Sequence, residues 1–305
     1  MCALEPLALM TVHAHPDDET IGTGGVMAKA VQDGHRVVLV TCTRGEEGEI
    51  VVPEMDTPEH HLRLGEIRAS ELEAAMAELG VTEWENLGYR DSGMMGRAAN
   101  RDPRCLWHAN LDEAIGRLVW LVRRHRPHVI TTYNEFGGYG HPDHIRTHLV
   151  TVGAFARAGD PAWYPEQLAD GEGAVEPWSP AKLYEQAIPT SVRTVVRERL
   201  TQLGYRGRWS PSEGGPADRE AEPRVARLKP FVPDDAITTK VPIDAFLETK
   251  FRALKRHATQ IGPGSSQMVL GVEGWRVTWP YESFILRASR TPTSLPEDDL
   301  FAGLR

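Results

Sequence analysis

The amino-acid sequence predicts an α/β protein with a Rossmann-like, mostly parallel sheet flanked by helices and a smaller C-terminal α+β subdomain. Strand-like and helix-like patterns alternate over residues 1–158, which favours parallel strands joined by helical crossovers. A stretch rich in Gly, Pro, Asp and Glu follows at 159–180, and the patterns weaken after it. We therefore predict a Rossmann-like domain at 1–158, a linker at 159–180 and a subdomain at 181–305 that shapes the substrate pocket.

Apolar runs in the first domain are predicted to be strands, and amphipathic stretches are predicted to be helices. The side chains of Ile115, Leu118 and Val122 recur at helical spacing, as they would on one face of a helix. Pro142 suits the first position of a helix, where its missing N–H donor is not needed. The predicted strands are 7–12, 36–42, 84–87 and 129–133, and the predicted helices are 20–33, 59–79, 111–125 and 142–158.

The second half of the chain carries weaker signals. Residues 204–235 form a polar stretch rich in Pro, Gly and Arg, and no internal repeat is visible. We predict strands at 182–188 and 237–241, helices at 191–203 and 245–260, and mixed strand character at 275–286.

Composition bounds the class of protein. The chain has 305 residues, of which 41% are hydrophobic and 25% charged, as in an ordinary soluble globular protein. A net charge of −9 and the lack of a basic stripe argue against a nucleic-acid partner. Three cysteines do not suggest a disulfide framework. No stretch approaches the ~18 apolar residues of a membrane span, so we expect no membrane partner and a cytoplasmic location. Assembly into a homo-oligomer is left open.

Two short clusters of histidine and aspartate carry the chemistry of this sequence. The first is HAHPDDE at 13–19 and the second is HPDH at 141–144; each follows a predicted strand and precedes a predicted helix. Loops at the carboxyl ends of parallel strands can converge on one crevice, so we expect the two clusters to lie together. Imidazole and carboxylate groups are ligands suited to zinc.

His15, Asp18 and His144 are the predicted ligands of one Zn²⁺ per chain, with Fe²⁺ as the alternative metal. His15 and Asp18 are three residues apart, as a tight turn into a helix requires if both are to reach one ion. Three protein ligands leave a fourth position open for water, which is typical of a catalytic zinc site. His13 precedes His15 by two residues and is predicted to be a packed histidine rather than a ligand.

The remaining polar residues of the clusters predict hydrolysis of a linear amide C–N bond. Asp17 is predicted to be the general base that takes a proton from the attacking water. His141 or Tyr139 is predicted to donate a hydrogen bond to the oxyanion, and Asp143 to hold His141 in its productive tautomer. The sequence leaves open whether Asp17 or His141 protonates the departing amine.

These motifs resemble those of the LmbE/PIG-L family of zinc-dependent N-deacetylases. The resemblance implies the same ligands and base, and implies that Glu49, Arg68 and Asp91 contact the sugar of the substrate. It also implies an enzyme that removes acetyl from a small amino-sugar conjugate of the N-acetylglucosaminyl-inositol type, in mycothiol metabolism. The residues that carry the resemblance are AHPDDE at 14–19, GEEGE at 45–49, RDSG at 90–93, GGYGHPDH at 137–144 and HATQ at 257–260.

Features of two subfamilies are mixed in this chain. Gly140, directly before the histidine of the second cluster, resembles the deacetylases, whereas MDTP at 55–58 and DLFAG at 299–303 resemble the mycothiol S-conjugate amidases. The alternative functions are therefore such an amidase, which cleaves the glucosamine–acylcysteine amide, or a deacetylase of another N-acetylglucosaminyl natural product.

Functions of other classes are less favoured by the residues present. A dinucleotide-binding oxidoreductase would carry a glycine fingerprint after the first strand, where histidine and aspartate stand instead. A non-catalytic sugar-binding relative would not need to keep every predicted ligand together with Asp17.

Overall fold

A computed structural model describes residues 6–169, 173–205 and 231–304. Its strands are β1 (Ala8–His13), β2 (Arg36–Thr41), β3 (Glu83–Asn86), β4 (Val129–Thr132), β5 (Lys182–Gln186), β6 (Ile188–Pro189), β7 (Phe231–Val232), β8 (Thr239–Pro242) and β9 (Tyr281–Ser289). Its helices are α1 (Asp18–Gln32), α2 (Pro58–Leu62), α3 (Leu64–Leu79), α4 (Leu111–His125), α5 (Gly137–Gly140), α6 (Pro142–Arg157), α7 (Thr190–Gln202), α8 (Leu247–Leu254) and α9 (Ser266–Thr278).

A seven-stranded sheet with the order β3-β2-β1-β4-β5-β9-β8 forms the centre of the molecule. The strands from β3 to β5 are parallel, while β9 runs antiparallel to both of its neighbours. The predicted fold class, a mostly parallel sheet flanked by helices, is therefore confirmed.

Each face of the sheet is buried under its own layer of helices. Leu9 and Leu39 belong to a core that includes residues of α1, α3 and α8. Met10 and Val38 belong to a second core, which includes residues of α4 and α6. Successive side chains of a strand point to opposite faces, so a strand covered on both sides buries all of its side chains and is mostly apolar. All six residues of β1 are accordingly buried.

The strand order reverses between β1 and β4, and this reversal positions the two clusters. The chain leaves β1 toward β2 on one side, whereas β4 lies on the other side of β1. Such a switch point opens a crevice at the carboxyl ends of the strands. The first cluster begins at the end of β1, and the second follows β4 after the short helix α5.

The central sheet is continuous across the predicted linker. Strand β5 pairs with β4, and β9 and β8 extend the sheet further, so three of its seven strands come from residues 181–305. The two halves share one sheet, and a division into separate folding units stays a prediction.

Four predicted elements differ from the structure. The strand predicted at 182–188 is β5, which ends at Gln186, followed by β6, which pairs with β7 in a separate sheet. The helix predicted at 59–79 is two helices, α2 and α3, which meet at Arg63 with a non-helical φ of −111°. The helix predicted at 245–260 is shorter, since α8 ends at Leu254. The strand character predicted at 275–286 is wrong for its first residues: α9 continues to Thr278, and Gly271 with a φ of 62° interrupts its helical pattern. Of the polar stretch at 204–235, residues 206–230 lie outside the described residues.

Among the residues that the structure describes, none of the helices combines the length and the apolar character needed to cross a bilayer.

Candidate active site

The loop after β1 is a tight turn that leads into α1. Asp17 is the N-cap residue of α1 and adopts a φ of 102°, which is unusual for a residue other than glycine. Its N–H donates to Glu19 Oε2 at 2.9 Å, and its carbonyl accepts from the N–H of Ile21 at 3.0 Å. The N–H of His15 donates to Asp18 Oδ2 at 3.1 Å. These bonds hold the strained turn in place and fix Asp17 next to Asp18.

The three predicted metal ligands converge on one point. His15 Nδ1 lies 3.2 Å from Asp18 Oδ2, and His144 Nε2 lies 3.3 Å from both of those atoms. Ligand atoms held about 2.0–2.1 Å from a tetrahedral zinc ion lie about 3.3 Å from one another. The two imidazoles and the carboxylate are therefore spaced as three corners of a zinc tetrahedron, and the residues present fit the metal.

Two further combinations of side chains also bring three ligand atoms close together. His15, His141 and His144 form one group, and His15, Asp91 and Asp143 form the other; within each group the atoms lie within 4.8 Å. His15 is common to both groups because its two ring nitrogens face different neighbours.

Two carboxylates contact the far side of the His15 ring. Its Nε2 lies 3.2 Å from Asp143 Oδ2 and 3.4 Å from Asp91 Oδ1. A histidine that binds metal through one nitrogen usually donates its other N–H to such a carboxylate, which fixes its tautomer and orientation. Burial alone would raise the pKa of Asp91, but the adjacent His15 holds it well below its usual range.

The Asp143 carboxylate contacts His15 and not, as we predicted, His141. Asp143 is the second residue of α6, and its oxygens accept from the backbone N–H and the hydroxyl of Ser92 as well as facing His15. It is the backbone N–H of Asp143 that donates to His141 Nδ1, at 3.2 Å. The first turn of α6 thus fixes the tautomer of His141. Because Nδ1 accepts the N–H of Asp143, the neutral ring carries its proton on Nε2.

His141 and Tyr139 lie beside the ligand cluster. The His141 ring packs edge-on against His15, with 4.6 Å between centroids, and burial, followed by the charges of His15 and His144, lowers its pKa to about 2. The Tyr139 ring lies 4.9 Å from that of His144. Gly138 and Gly140 flank Tyr139 with φ values of 71° and 91°, which only glycine adopts readily.

Arg68 is buried beneath the first cluster. Its Nη2 lies 3.3 Å from Asp17 Oδ2, and its Nη1 donates to the carbonyl of Gly45 at 2.8 Å. A Cβ at Gly45 would lie 2.0 Å from Nη1, so this close approach requires glycine. Burial raises the pKa of Asp17 to about 6, although Arg68 opposes the change.

The residues predicted to contact the sugar are not equally placed. Asp91 lies at the ligand cluster and Arg68 supports Asp17, as described above. The Glu49 carboxylate is instead at the surface, 76% exposed, where it pairs with Arg97 Nη2 at 3.0 Å. The structure therefore brings Arg68 and Asp91 to the cluster and leaves Glu49 on the outer part of the loop after β2.

Residues without a predicted role complete the site. The Tyr133 ring stacks on His144 at 4.2 Å, and its hydroxyl accepts the N–H of Ala14 at 2.9 Å. Its place directly after β4, at the carboxyl edge of the sheet, was the signal that could have identified it. Glu19 pairs with His257 of the HATQ motif: Oε1 and Nε2 lie 2.9 Å apart, and both side chains are fully buried.

The fold and this cluster define a class: α/β proteins with a candidate single-metal site and an adjacent, partly buried carboxylate at the sheet's switch point. A family model described as PIG-L, GlcNAc-PI de-N-acetylase, matches residues 10–155, which contain both clusters. The chain belongs to this family, as the sequence predicted.

Relatives of known name match almost the whole chain. A protein of Geodermatophilus obscurus is 44% identical over 97% of this chain and 97% of its own length. One of Thermobifida fusca is 40% identical over 96% of this chain and 98% of its own length. Both are named 1D-myo-inositol 2-acetamido-2-deoxy-alpha-D-glucopyranoside deacetylase. The predicted class of reaction, hydrolysis of an amide by a deacetylase, is thus confirmed by the relatives.

Solved structures share the fold at lower identity. The N,N'-diacetylchitobiose deacetylase of Pyrococcus horikoshii has a TM-score of 0.58 and 18% identity, and the match covers 92% of this chain and 83% of that one. The 4-carboxy-2-hydroxymuconate hydratase GalB of Pseudomonas putida has a TM-score of 0.59 and 18% identity, over 95% and 99% of the two chains. Because the second protein is named a hydratase, the shared fold does not by itself specify the reaction.

Proposed function

We propose that this protein is a zinc-dependent hydrolase that removes the acetyl group from an N-acetylglucosaminyl-inositol conjugate. The names of the full-length relatives support the substrate, a small amino-sugar conjugate. The observation that carries the chemistry is the position of Asp17, a partly buried carboxylate next in sequence to the ligand Asp18 and held by Arg68 at 3.3 Å.

His15 Nδ1, Asp18 Oδ2 and His144 Nε2 would hold the zinc ion. A bound zinc ion supplies Lewis acidity and activates water for attack at neutral pH. Asp91 and Asp143 hold the His15 ring in the orientation that presents Nδ1 to the ion. Tyr133 stacks on His144 and fixes the second ring.

Asp17 and His141 would carry out the proton transfer and the hydrogen bonding that the reaction requires. Asp17 accepts a proton from the attacking water, and the new C–O bond forms as that proton leaves. His141 Nε2–H donates a hydrogen bond to the oxygen that becomes negative, since its Nδ1 is engaged by the N–H of Asp143. The amide C–N bond then breaks, and the proton held by Asp17 is the one that the departing amine requires. The products are acetate and the free amino sugar.

Polar groups on the β2 and β3 side of the metal ligands would contact the sugar. Asp91 follows β3, and the loop after β2 carries Glu49 at its outer part. Carboxylates in this position accept hydrogen bonds from hydroxyl groups, which suits a neutral polyol. Arg68 acts on the base and on the loop after β2 rather than on the sugar directly.

Amine release from N-acetylglucosaminyl-inositol tests the proposal directly. The protein is stripped with a chelator, reloaded with Zn²⁺ or Fe²⁺, and assayed in parallel with a mycothiol S-conjugate. We expect activity that the chelator abolishes and the metal restores, with faster release from N-acetylglucosaminyl-inositol. Faster release from the S-conjugate would assign the amidase instead, and no release from either substrate with either metal would refute the hydrolase.

A further inference from the structure

A cavity of about 210 Å³ adjoins the ligand cluster on one side. Asp18, Tyr139 and His144 line the end of the cavity nearest the cluster. The cavity extends from there between the sheet and the helices α7 and α9, which belong to the second half of the chain. Its far end is lined by apolar side chains, among them Val192, Val196, Leu270 and Trp275.

The cavity and the polar loops lie on opposite sides of the ligand cluster. The cluster sits at the ends of β1 and β4, and the loops that carry Glu49 and Asp91 follow β2 and β3. The cavity is bordered by Gln186 at the end of β5 and by Ser283 in β9. In the strand order β3-β2-β1-β4-β5-β9, these two regions flank the cluster. An amide centred on the cluster therefore directs its sugar to one side and its acyl group to the other.

The cavity is larger than an acetyl group requires. An apolar cavity of about 150 Å³ is enough to bind benzene, whereas acetyl presents a single methyl group. A chain of several carbons or an aromatic ring therefore fits the space beyond Tyr139 and His144. Each methylene that such a chain buries strengthens binding by about four-fold.

We propose that this cavity is an acyl-group pocket, and that the protein hydrolyses N-acyl glucosamine conjugates whose acyl group is apolar and longer than acetyl. The inference rests on the proposed function, because it uses the same metal ligands and the same base. The reaction is the same as for the acetyl substrate. The oxygen of water bonds to the acyl carbon, the C–N bond breaks, and the products are a longer carboxylic acid and the free amine.

A series of N-acyl substrates tests the pocket. We compare kcat/KM for N-acetyl-, N-butanoyl- and N-hexanoyl-glucosaminyl-inositol with the zinc-loaded protein. Val192→Phe fills the cavity from α7, where Val192 is buried, and Val195→Phe places the same ring on the exposed side of that helix. Val196→Phe is a second variant that fills the cavity, and it is used in case Val192→Phe does not fold. Hydrolysis of the acetyl substrate shows in each case that the variant is folded.

In the wild-type protein we expect kcat/KM for the butanoyl substrate to equal or exceed that for acetyl. Val192→Phe and Val196→Phe should lower the butanoyl value by at least about 10-fold and leave the acetyl value within about three-fold, as expected when added volume displaces a ligand. Val195→Phe should change neither value. The pocket alone would be overturned if the wild-type protein hydrolysed the acetyl substrate but neither longer substrate, or if the filling variants kept the wild-type kcat/KM for the butanoyl substrate. No hydrolysis of any member would overturn the proposed function first.

Discussion

His257 Nε2 lies 2.9 Å from Glu19 Oε1, and both side chains are completely buried. The other oxygen of Glu19 accepts the N–H of Asp17, the proposed base. Burial alone would raise the pKa of Glu19, but the charge of His257 lowers it, as expected for an ion pair. A residue from the second half of the chain thereby fixes the turn that carries the base.

Loss of this ion pair should destabilise the protein. Glu19→Gln removes the carboxylate that keeps His257 protonated, so the buried ring becomes neutral and the ion pair is lost. The free energy of unfolding in urea should therefore fall by about 1–3 kcal/mol. The exposed pair Arg63–Glu66 offers a matched control, because Glu66→Gln should change stability by no more than about 0.5 kcal/mol. Equal effects of the two substitutions would show that the buried pair contributes no more than a surface pair.

Asp17→Asn should remove the base and keep the metal. A positioned general base typically contributes 10²–10⁴-fold, so we expect kcat to fall by about 10³-fold while zinc content stays at the wild-type level. Asp33→Asn, at an exposed aspartate that pairs with Lys29, controls for the chemical change. A variant that retains the full rate would exclude Asp17 as the base.

Zinc content should distinguish the two histidines of the second cluster. His144→Ala removes a ligand and should weaken zinc affinity by more than about 100-fold, whereas His141→Ala, outside the ligand set, should weaken it by no more than about 10-fold. Competition with a chelator, followed by elemental analysis, measures both. Equal loss in both variants would favour the alternative group of His15, His141 and His144.

His128 should make the fold sensitive to acid. Its Nδ1 accepts the N–H of Ala8 at 3.0 Å, and burial lowers its pKa below the usual 6.5. The unfolded chain therefore binds a proton first, so the free energy of unfolding should fall as the pH drops below 6.5 toward the folded-state pKa. His128→Asn retains an acceptor near that position and should show a smaller fall between pH 7 and 5. Parallel pH profiles for the two proteins would contradict this assignment.

Local patterns allowed the frame of the site to be predicted. The apolar runs of β1 and β4 and the motifs after them are continuous in sequence, so the strands, the turn of Asp17 and the convergence of His15 and His144 could all be anticipated. The structure brings His15, Asp18 and His144 together, and their role as metal ligands is the proposal made above.

Partners that depend on tertiary packing could not be predicted. Asp143 faces His15 across 128 positions of sequence, and only the packing of α6 against the loop after β1 selects His15 over the nearer His141. Helix α9 could not be predicted for a different reason: Gly271 and Gly274 weaken its helical pattern in the sequence. Its packing against α7 overrides that weakness, and these two helices supply the apolar lining of the cavity.

The position of β4 in the sheet has a consequence for synthesis of the chain. In the finished protein β4 lies between β1 and β5, and all four of its residues are buried. Its partner β5 begins only at Lys182, so a nascent chain that has emerged as far as Arg157 exposes β4 as an apolar, unpaired edge. Such edges recruit other strands. The order of synthesis therefore leaves this edge of β4 without its partner until β5 has left the ribosome.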